Sequence, residues 1–381
     1  MKNRFLTLFV IFGVLAFSSC KDDKELSTEE AKQEIAQVSQ EMSAMINALQ
    51  EGEAMNAMNE FMGVAKKSIV KTEDEEWFDA MFEALDSQIN FENLDSELSN
   101  QHRFMYSSYL GRYTWNFETH LWVKTSANSI ILEFPASKTS TTNNATISIE
   151  SFSDMQVTVD GETAWLPTKV NVKVAKDGTK LMSIDLNEAS YSNSFPYVNK
   201  FDVTIFVAPV TEHFVYEKKT NRQIYASQTL SDNLSSLGAE GTLNLTKDFD
   251  QNFDETYFNT LVGKVFFNDL TAKFNLNLAS IVNYTEDPTE AQVNNDIKVD
   301  FYVGEEKFGY LYAENERFYI VYNNGDKEAI EVAFADVITA LENAFSGNEV
   351  MKKMSLKKKL ALRKKAQKFE KTIKFVKYLK K

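Results

Sequence analysis

From residue 115 to residue 322 the chain returns again and again to one pattern, in which apolar and polar residues alternate over short runs. A period of two belongs to a strand with one buried face. The runs include Ile130 to Phe134, Ile147 to Phe152, Val170 to Val174, Lys180 to Leu186, Phe201 to Val207, Phe214 to Tyr216 and Leu243 to Leu245. Val265 to Leu278, Ile297 to Val303, Phe308 to Tyr312 and Phe318 to Tyr322 continue the series. Strands that follow one another through short turns pair antiparallel, because parallel neighbours need a long crossover. Asp177-Gly178 marks one such turn, and Asn323-Asn324-Gly325-Asp326 closes the region. Within YTWNFETHLWVK, Trp115, Phe117, Leu121 and Val123 read as one strand, with Trp115 and Trp122 on opposite faces. With 13 glycines and 5 prolines in 381 residues, the long runs favour extended, curved hairpins over a sandwich of short strands.

Helices are expected on either side of this body. Ser27-Thr28-Glu29-Glu30 fits a capping box, and Ala31, Ile35, Val38, Met42, Met45 and Leu49 follow at spacings of three and four. After Gly52 the stripe resumes through Met55, Met58, Met62, Ala65 and Ile69. Thr72 to Glu75 opens a further helix with Phe78, Met81, Phe82, Leu85 and Ile89 inward. The methionine spacing is that of a core stripe, which is favoured over a soft-metal site. Residues 27–105 are thus a helical hairpin or small bundle, and residues 106–325 the antiparallel β body. Ile330, Phe334, Val337, Ile338, Leu341 and Phe345 give an amphipathic helix over 326–346 that covers the sheet. The fold class is α+β.

The leader sets the address. Lys2 and Arg4 precede an uncharged run from Phe5 to Phe17, too short to cross a bilayer as a helix, which needs roughly 20 residues. Small residues then lead to Cys20, the chain's single cysteine. This is the layout of a cleaved secretory signal over residues 1–19. Phe17-Ser18-Ser19-Cys20 resembles the end of a bacterial lipoprotein signal, with Phe17 where leucine is commonest. Lys21, Asp22, Asp23, Lys24 and Glu25 resemble the lysine-plus-acidic cluster that sends Bacteroidota-type lipoproteins to the outer face of the outer membrane. The resemblance implies that Cys20 is acylated, that residues 20–26 tether the body to the membrane, and that the protein is a binding or accessory component of the cell envelope. It also leaves the mature chain without a thiol for disulfides, so the core alone must hold the fold. No later run approaches transmembrane length, and a soluble body is expected.

Charge divides the chain sharply. Of a net charge of −14, residues 351–381 contribute +13, from fourteen Lys or Arg against Glu370 alone. The leader contributes +2, which leaves residues 20–350 at −29. The tail over 347–381 reads as a helix with a narrow apolar stripe through Leu362, Ala366, Phe369, Ile373 and Val376. Its cations, among them Lys357, Lys358, Lys359, Arg363, Lys364 and Lys365, suit folding back on the acidic body or contact with an anionic envelope lipid surface. Nucleic acid is not expected, because the acidic body opposes it and the tail lacks interleaved aromatics.

Catalytic signatures are missing from the sequence. His102, His120 and His213 lie far apart, no Gly-x-Ser-x-Gly elbow or phosphate loop occurs, and no cofactor is expected. Asp248, Asp250, Asn252 and Asp254 alternate as at the start of a calcium loop, but Phe253 and Asn259 stand where such a loop needs Gly and Glu. As a strand, the same segment would put Phe249 and Phe253 inward. The expected function is non-enzymatic ligand binding by a lipid-anchored protein. Two alternatives stay open: lipid handling in an apolar cavity under a curved sheet, and binding or hydrolysis of a surface glycan.

Overall fold

Sixteen strands hydrogen-bond into one sheet, and their order follows the chain almost without departure. The computed structural model describes residues 26–51, 80–85, 103–159, 162–193, 196–250, 252–284 and 288–335. The strands are β1 (Gly111–Asn116), β2 (Leu121–Thr125), β3 (Ile130–Phe134), β4 (Ala145–Val159), β5 (Glu162–Lys176), β6 (Thr179–Tyr191), β7 (Val198–Val207) and β8 (Val210–Thr220). They continue as β9 (Gln223–Ser231), β10 (Ser236–Leu245), β11 (Phe258–Phe267), β12 (Leu270–Asn277), β13 (Ile297–Val303), β14 (Glu306–Glu314), β15 (Arg317–Tyr322) and β16 (Lys327–Ala329). The described α-helices include α1 (Thr28–Glu51), α2 (Leu278–Ile281), α3 (Glu290–Asp296) and α4 (Ile330–Ala333). Residues 80–85 are also helical.

From β16 back to β3 each strand pairs antiparallel with its sequence neighbour. The last three break the order as β3-β1-β2, and β1 runs parallel to β3. The sheet is therefore mixed, where the turn lengths predicted antiparallel pairing throughout. The link from β2 to β3 passes over the start of β1, where the Gly111 amide donates to the Ser129 carbonyl at 3.1 Å. Gly111 has φ +154°, and a Cβ there would meet Lys124 Cε at 2.6 Å. Glycine lets the link cross closely.

At a strand spacing of about 4.8 Å the sheet runs about 70 Å across, and sheets this wide do not stay flat. Bulges supply the bending. Register shifts fall at Ile149/Ser151 and Ser153/Asp154 in β4, at Val174/Ala175 in β5, and at Leu186/Glu188 and Ser190/Tyr191 in β6.

Two cores sit at opposite ends of the sheet. The larger joins Ala31, Ile35, Val38 and Met42 of α1 to Phe267, Ala272, Val299, Phe301, Phe308, Ile320 and Tyr322 of β11–β15, with Ile330 and Phe334 alongside. These α1 residues are the stripe read from the sequence, and its start is capped as expected. The Glu30 amide donates to Ser27 Oγ at 3.2 Å, and the Ser27 amide to Glu30 Oε2 at 3.0 Å. The smaller core joins Met81 and Leu85 to Tyr113, Trp115, Trp122, Ile130, Phe134 and Ala145. Among the described residues nothing lies between Glu51 and Ala80, so the expected hairpin over 27–105 is seen only in part.

Three boundaries differ from the sequence reading. The run holding both tryptophans is a hairpin, with His120 at φ 52° closing its turn. Trp115 and Trp122 face each other across the strands at 5.7 Å, on one buried face, and Trp122 Nε1 donates to the Met81 carbonyl at 2.9 Å. Val265 to Leu278 is likewise two strands, because Asn268 adopts φ 50° at the turn. The helix expected over 326–346 begins only at Ile330, since Lys327–Ala329 adds an edge strand after the Gly325 turn. Residues beyond 335 lie outside the described chain.

A buried carboxylate ties α2 and α3 to β12. Asp296 accepts from Asn277 Nδ2 at 2.9 Å, Ser280 Oγ at 2.5 Å, Tyr284 Oη at 2.7 Å and Asn295 Nδ2 at 3.2 Å. Burial pulls its pKa upward, but these donors outweigh it and hold the carboxyl below its usual range. Burial and the same bond push Tyr284 up to about 12.

Two stability tests follow from this packing. Gly263 faces Gly241 across β10–β11, with the Phe274 ring over the pair, and a Cβ on Gly263 would lie 2.1 Å from the Glu240 carbonyl oxygen. Gly263→Val should destabilise by about 2–3 kcal/mol in urea unfolding. Gly241→Ala, whose nearest contact would be the tip of Leu261 at 3.3 Å, with the Val262 carbonyl oxygen at 3.5 Å, should cost under about 1 kcal/mol. Asp296→Asn should cost about 2 kcal/mol at neutral pH. Because the native pKa is depressed, the wild-type advantage is full above the unfolded value of about 3.9 and shrinks as pH falls below it. Urea titrations of both proteins between neutral pH and pH 3 check the sign.

Candidate functional site

The cross-strand register carries one row of side chains from the smaller core to the larger. Ile130, Ile149, Val172, Ile184, Ile205, Glu212, Leu230, Leu237, Phe267, Leu270 and Val303 face one another in turn from β3 to β13. Ten of the eleven are apolar. On either side of it run Val170, Leu186, Val203 and Phe214, and Val174, Met182, Val207 and Val210.

The ends of the long row lie within the cores, but its middle does not. Val172, Ile184, Ile205, Val203 and Phe214 are half-buried and join neither cluster. The described helices pack on β11–β16, and residues 80–85 pack beside β1–β4. Strands β5–β8 therefore form a span of sheet between two sealed ends, with an aliphatic face on one side.

One charged residue interrupts that face. Glu212 faces Ile205 and Leu230, and its Oε1 accepts from Gln228 Nε2 at 2.6 Å. Ligand sites are mostly apolar with a few polar groups that fix orientation. Glu212 and Gln228 are such groups here.

The opposite face of the same strands is polar and bonded within itself. Ser183 Oγ donates to Asp185 Oδ2 at 3.1 Å, and Asn171 donates to the other oxygen of Asp185. Asn187 Nδ2 donates to Asp202 Oδ1 at 2.7 Å and to Thr204 Oγ1 at 3.0 Å, while His213 Nε2 lies 3.0 Å from Asp202 Oδ1. Burial raises the Asp202 pKa, but the bonds from Asn187 and His213 more than compensate and hold it below the usual carboxylate range. Nearby, Lys200 pairs with Glu188 at 2.5 Å. The pairs that run from strand to strand help hold the sheet where none of the described helices packs on it.

The calcium-like segment is a loop between β10 and β11, not a strand. Asp248 pairs with Arg222 Nε at 2.5 Å, and that bond lowers its pKa. Asp250 accepts from Tyr257 Oη at 2.6 Å and from the Asn252 amide at 2.7 Å, which pushes Tyr257 up to about 12. Asp254 caps the turn Glu255–Tyr257 through Thr256. Phe249 and Phe253 lie 4.2 Å apart, centroid to centroid, inside the loop. The three carboxylates thus organise the loop, and among the described residues no group of three or more His, Cys, Asp or Glu is arranged for a metal ion.

Cys20 and the cluster Lys21 to Glu25 lie outside the described residues, as do Lys357, Lys358, Lys359, Arg363, Lys364 and Lys365. None of the described helices is long and apolar enough to cross a membrane. The aliphatic span of β5–β8 was written in the sequence only as alternation, which is the same whether the face is covered or open. Glu212, at an inward position of that alternation, was the legible anomaly. No family model, no curated protein and no solved structure matches this chain.

Proposed function

We propose that this chain is a lipid-anchored protein of the bacterial outer membrane, exposed at the cell surface, that binds an apolar or amphiphilic ligand without transforming it. The observation that carries the reading is the aliphatic face of β5–β8, mostly half-buried with Leu186 and Val210 buried, lying between two cores and joined to neither. An acyl chain or an apolar segment of similar width complements such a face, since burial stabilises by about 25 cal/mol per Å² of apolar surface. Glu212 and Gln228 then orient the ligand's polar end. This observation favours lipid handling over glycan hydrolysis, because the carboxylates of the opposite face are committed to neighbours.

Acylation of Cys20 gives the body an orientation. Leu26 packs against the larger core, six residues after Cys20. Six residues reach at most about 21 Å. The β11–β16 end would therefore sit nearest the membrane, and β2 would lie at the far end of the sheet.

Two measurements test the proposal. An intact mass of protein extracted in mild detergent should show loss of residues 1–19 and acyl chains on Cys20; an unmodified cysteine contradicts the anchor. Displacement of a fluorescent fatty acid should show saturable binding that Ile205→Lys weakens at least tenfold while circular dichroism stays unchanged. Equal binding by the variant would remove β5–β8 as the site.

A further inference from the structure

The face of β11–β16 turned away from the larger core carries a charge opposite in sign to that of the body. The register sets Lys264, Lys273, Asp300, Tyr310, Val321 and Lys327 side by side from β11 to β16. Beside this row Lys298 faces Asn275, Lys307 faces Tyr302 and Arg317 faces Glu314. Six cations, Lys264, Lys273, Lys298, Lys307, Arg317 and Lys327, thus share one face. Four carboxylates lie against them. Lys264 pairs with Glu240 at 3.2 Å, Lys307 with Asp300 at 2.5 Å, Lys327 with Glu314 at 2.9 Å and Arg317 with Glu331 at 3.8 Å. The face keeps a surplus of positive charge, while residues 20–350 sum to −29.

Aromatic rings lie among these cations. The Lys273 ammonium is 4.0 Å from the centre of the Tyr302 ring, that of Lys327 5.0 Å from Tyr312, and that of Lys307 5.9 Å from Tyr310. An ammonium over a ring lays its stem along the sheet and holds its charge level with the phenols. Tyr310 is 43% exposed, and Val262 on the same face is 44% exposed.

We infer that this face docks the body on an anionic lipid surface, with ammonium groups against the phosphates and tyrosine rings among the headgroups. Lys and Arg close to a negatively charged leaflet are drawn to it, and Tyr is a residue of membrane interfaces. The inference rests on the anchor at Cys20 proposed above. That anchor selects a lipid surface over a soluble polyanion. Leu26 packs on the larger core of these same strands, and the six residues back to Cys20 keep the membrane within about 21 Å of it. The aliphatic face of β5–β8 belongs to the opposite side of the same sheet, so docking leaves it to the ligand.

Lysine acetylation read by mass spectrometry tests the docking face. Detergent-extracted protein is reconstituted into vesicles of phosphatidylcholine, alone or with about one-third phosphatidylglycerol. Lys264, Lys273 and Lys307 should react at least about threefold more slowly in the anionic vesicles, while Lys173 and Lys200 of β5 and β7 keep their rates. The protection should vanish at about 1 M salt, where the screening length is about 3 Å. With Lys273→Glu and Lys307→Glu combined, both at exposed positions, Lys264 should lose its protection with circular dichroism unchanged. Equal rates in the two kinds of vesicle would overturn the inference. So would protection confined to the lysines of residues 351–381, or equal protection of the detergent-solubilised protein by soluble polyphosphate. The intact mass of the same sample reads the anchor separately, so equal rates on protein acylated at Cys20 count against the face and not against the anchor.

Discussion

Cross-strand pairing in β5–β8 is the interaction on which the rest of this structure depends. These strands join two cores, and the described elements that form those cores pack at the ends. Between them the sheet is held by its backbone ladder, by the aliphatic rows through Ile184 and Ile205, and by the Asp185 and Asp202 networks on the other face. Each cross-strand pair contributes only about 0.2–1 kcal/mol, so cooperation along many strands is what makes the span persist. A break in the span would uncouple the ends, because no described helix bridges them.

That arrangement explains how residues are allotted to the two faces. Where α1 and α4 cover the sheet, the inward residues are large and fully buried, as Phe301, Phe308 and Tyr322 are. Where nothing described covers it, the inward residues are mostly Val, Ile and Leu, with Met182, Glu212 and Phe214 among them, and the β-branched ones suit a pleated surface and stiffen it. The outward face there takes Asn, Asp, Thr and Ser, whose hydrogen bonds run from strand to strand. A sheet of this form offers a long surface at little cost in core.

Much of the fold was legible because its signals are local. The Ser27 capping box, the stripe from Ala31 to Met42 and the Asp177-Gly178 turn each depend on neighbours within a few residues, and the structure forms them as read. What escaped the sequence depended on longer range or on unusual turn chemistry. His120 and Asn268 close turns in the left-handed region without glycine, so two hairpins read as single strands. The parallel β1–β3 pair hangs on the crossing at Gly111, which no periodicity reports. The capping box of Thr289 and Gln292, which starts α3, was visible in retrospect as Thr-x-x-Gln. The candidate site was the least legible of all, since alternation gives the direction of a side chain and not what lies over it.

Hydrogen–deuterium exchange resolved by mass spectrometry tests the central claim most directly, because local opening reports which segments lack a packed partner. The account predicts that amides of β5–β8 exchange distinctly faster than those of β11–β14 in ligand-free protein, and that a bound fatty acid slows the former alone. Equal, slow exchange in both segments without ligand would mean that the central span is as well covered as the core, and would contradict the account.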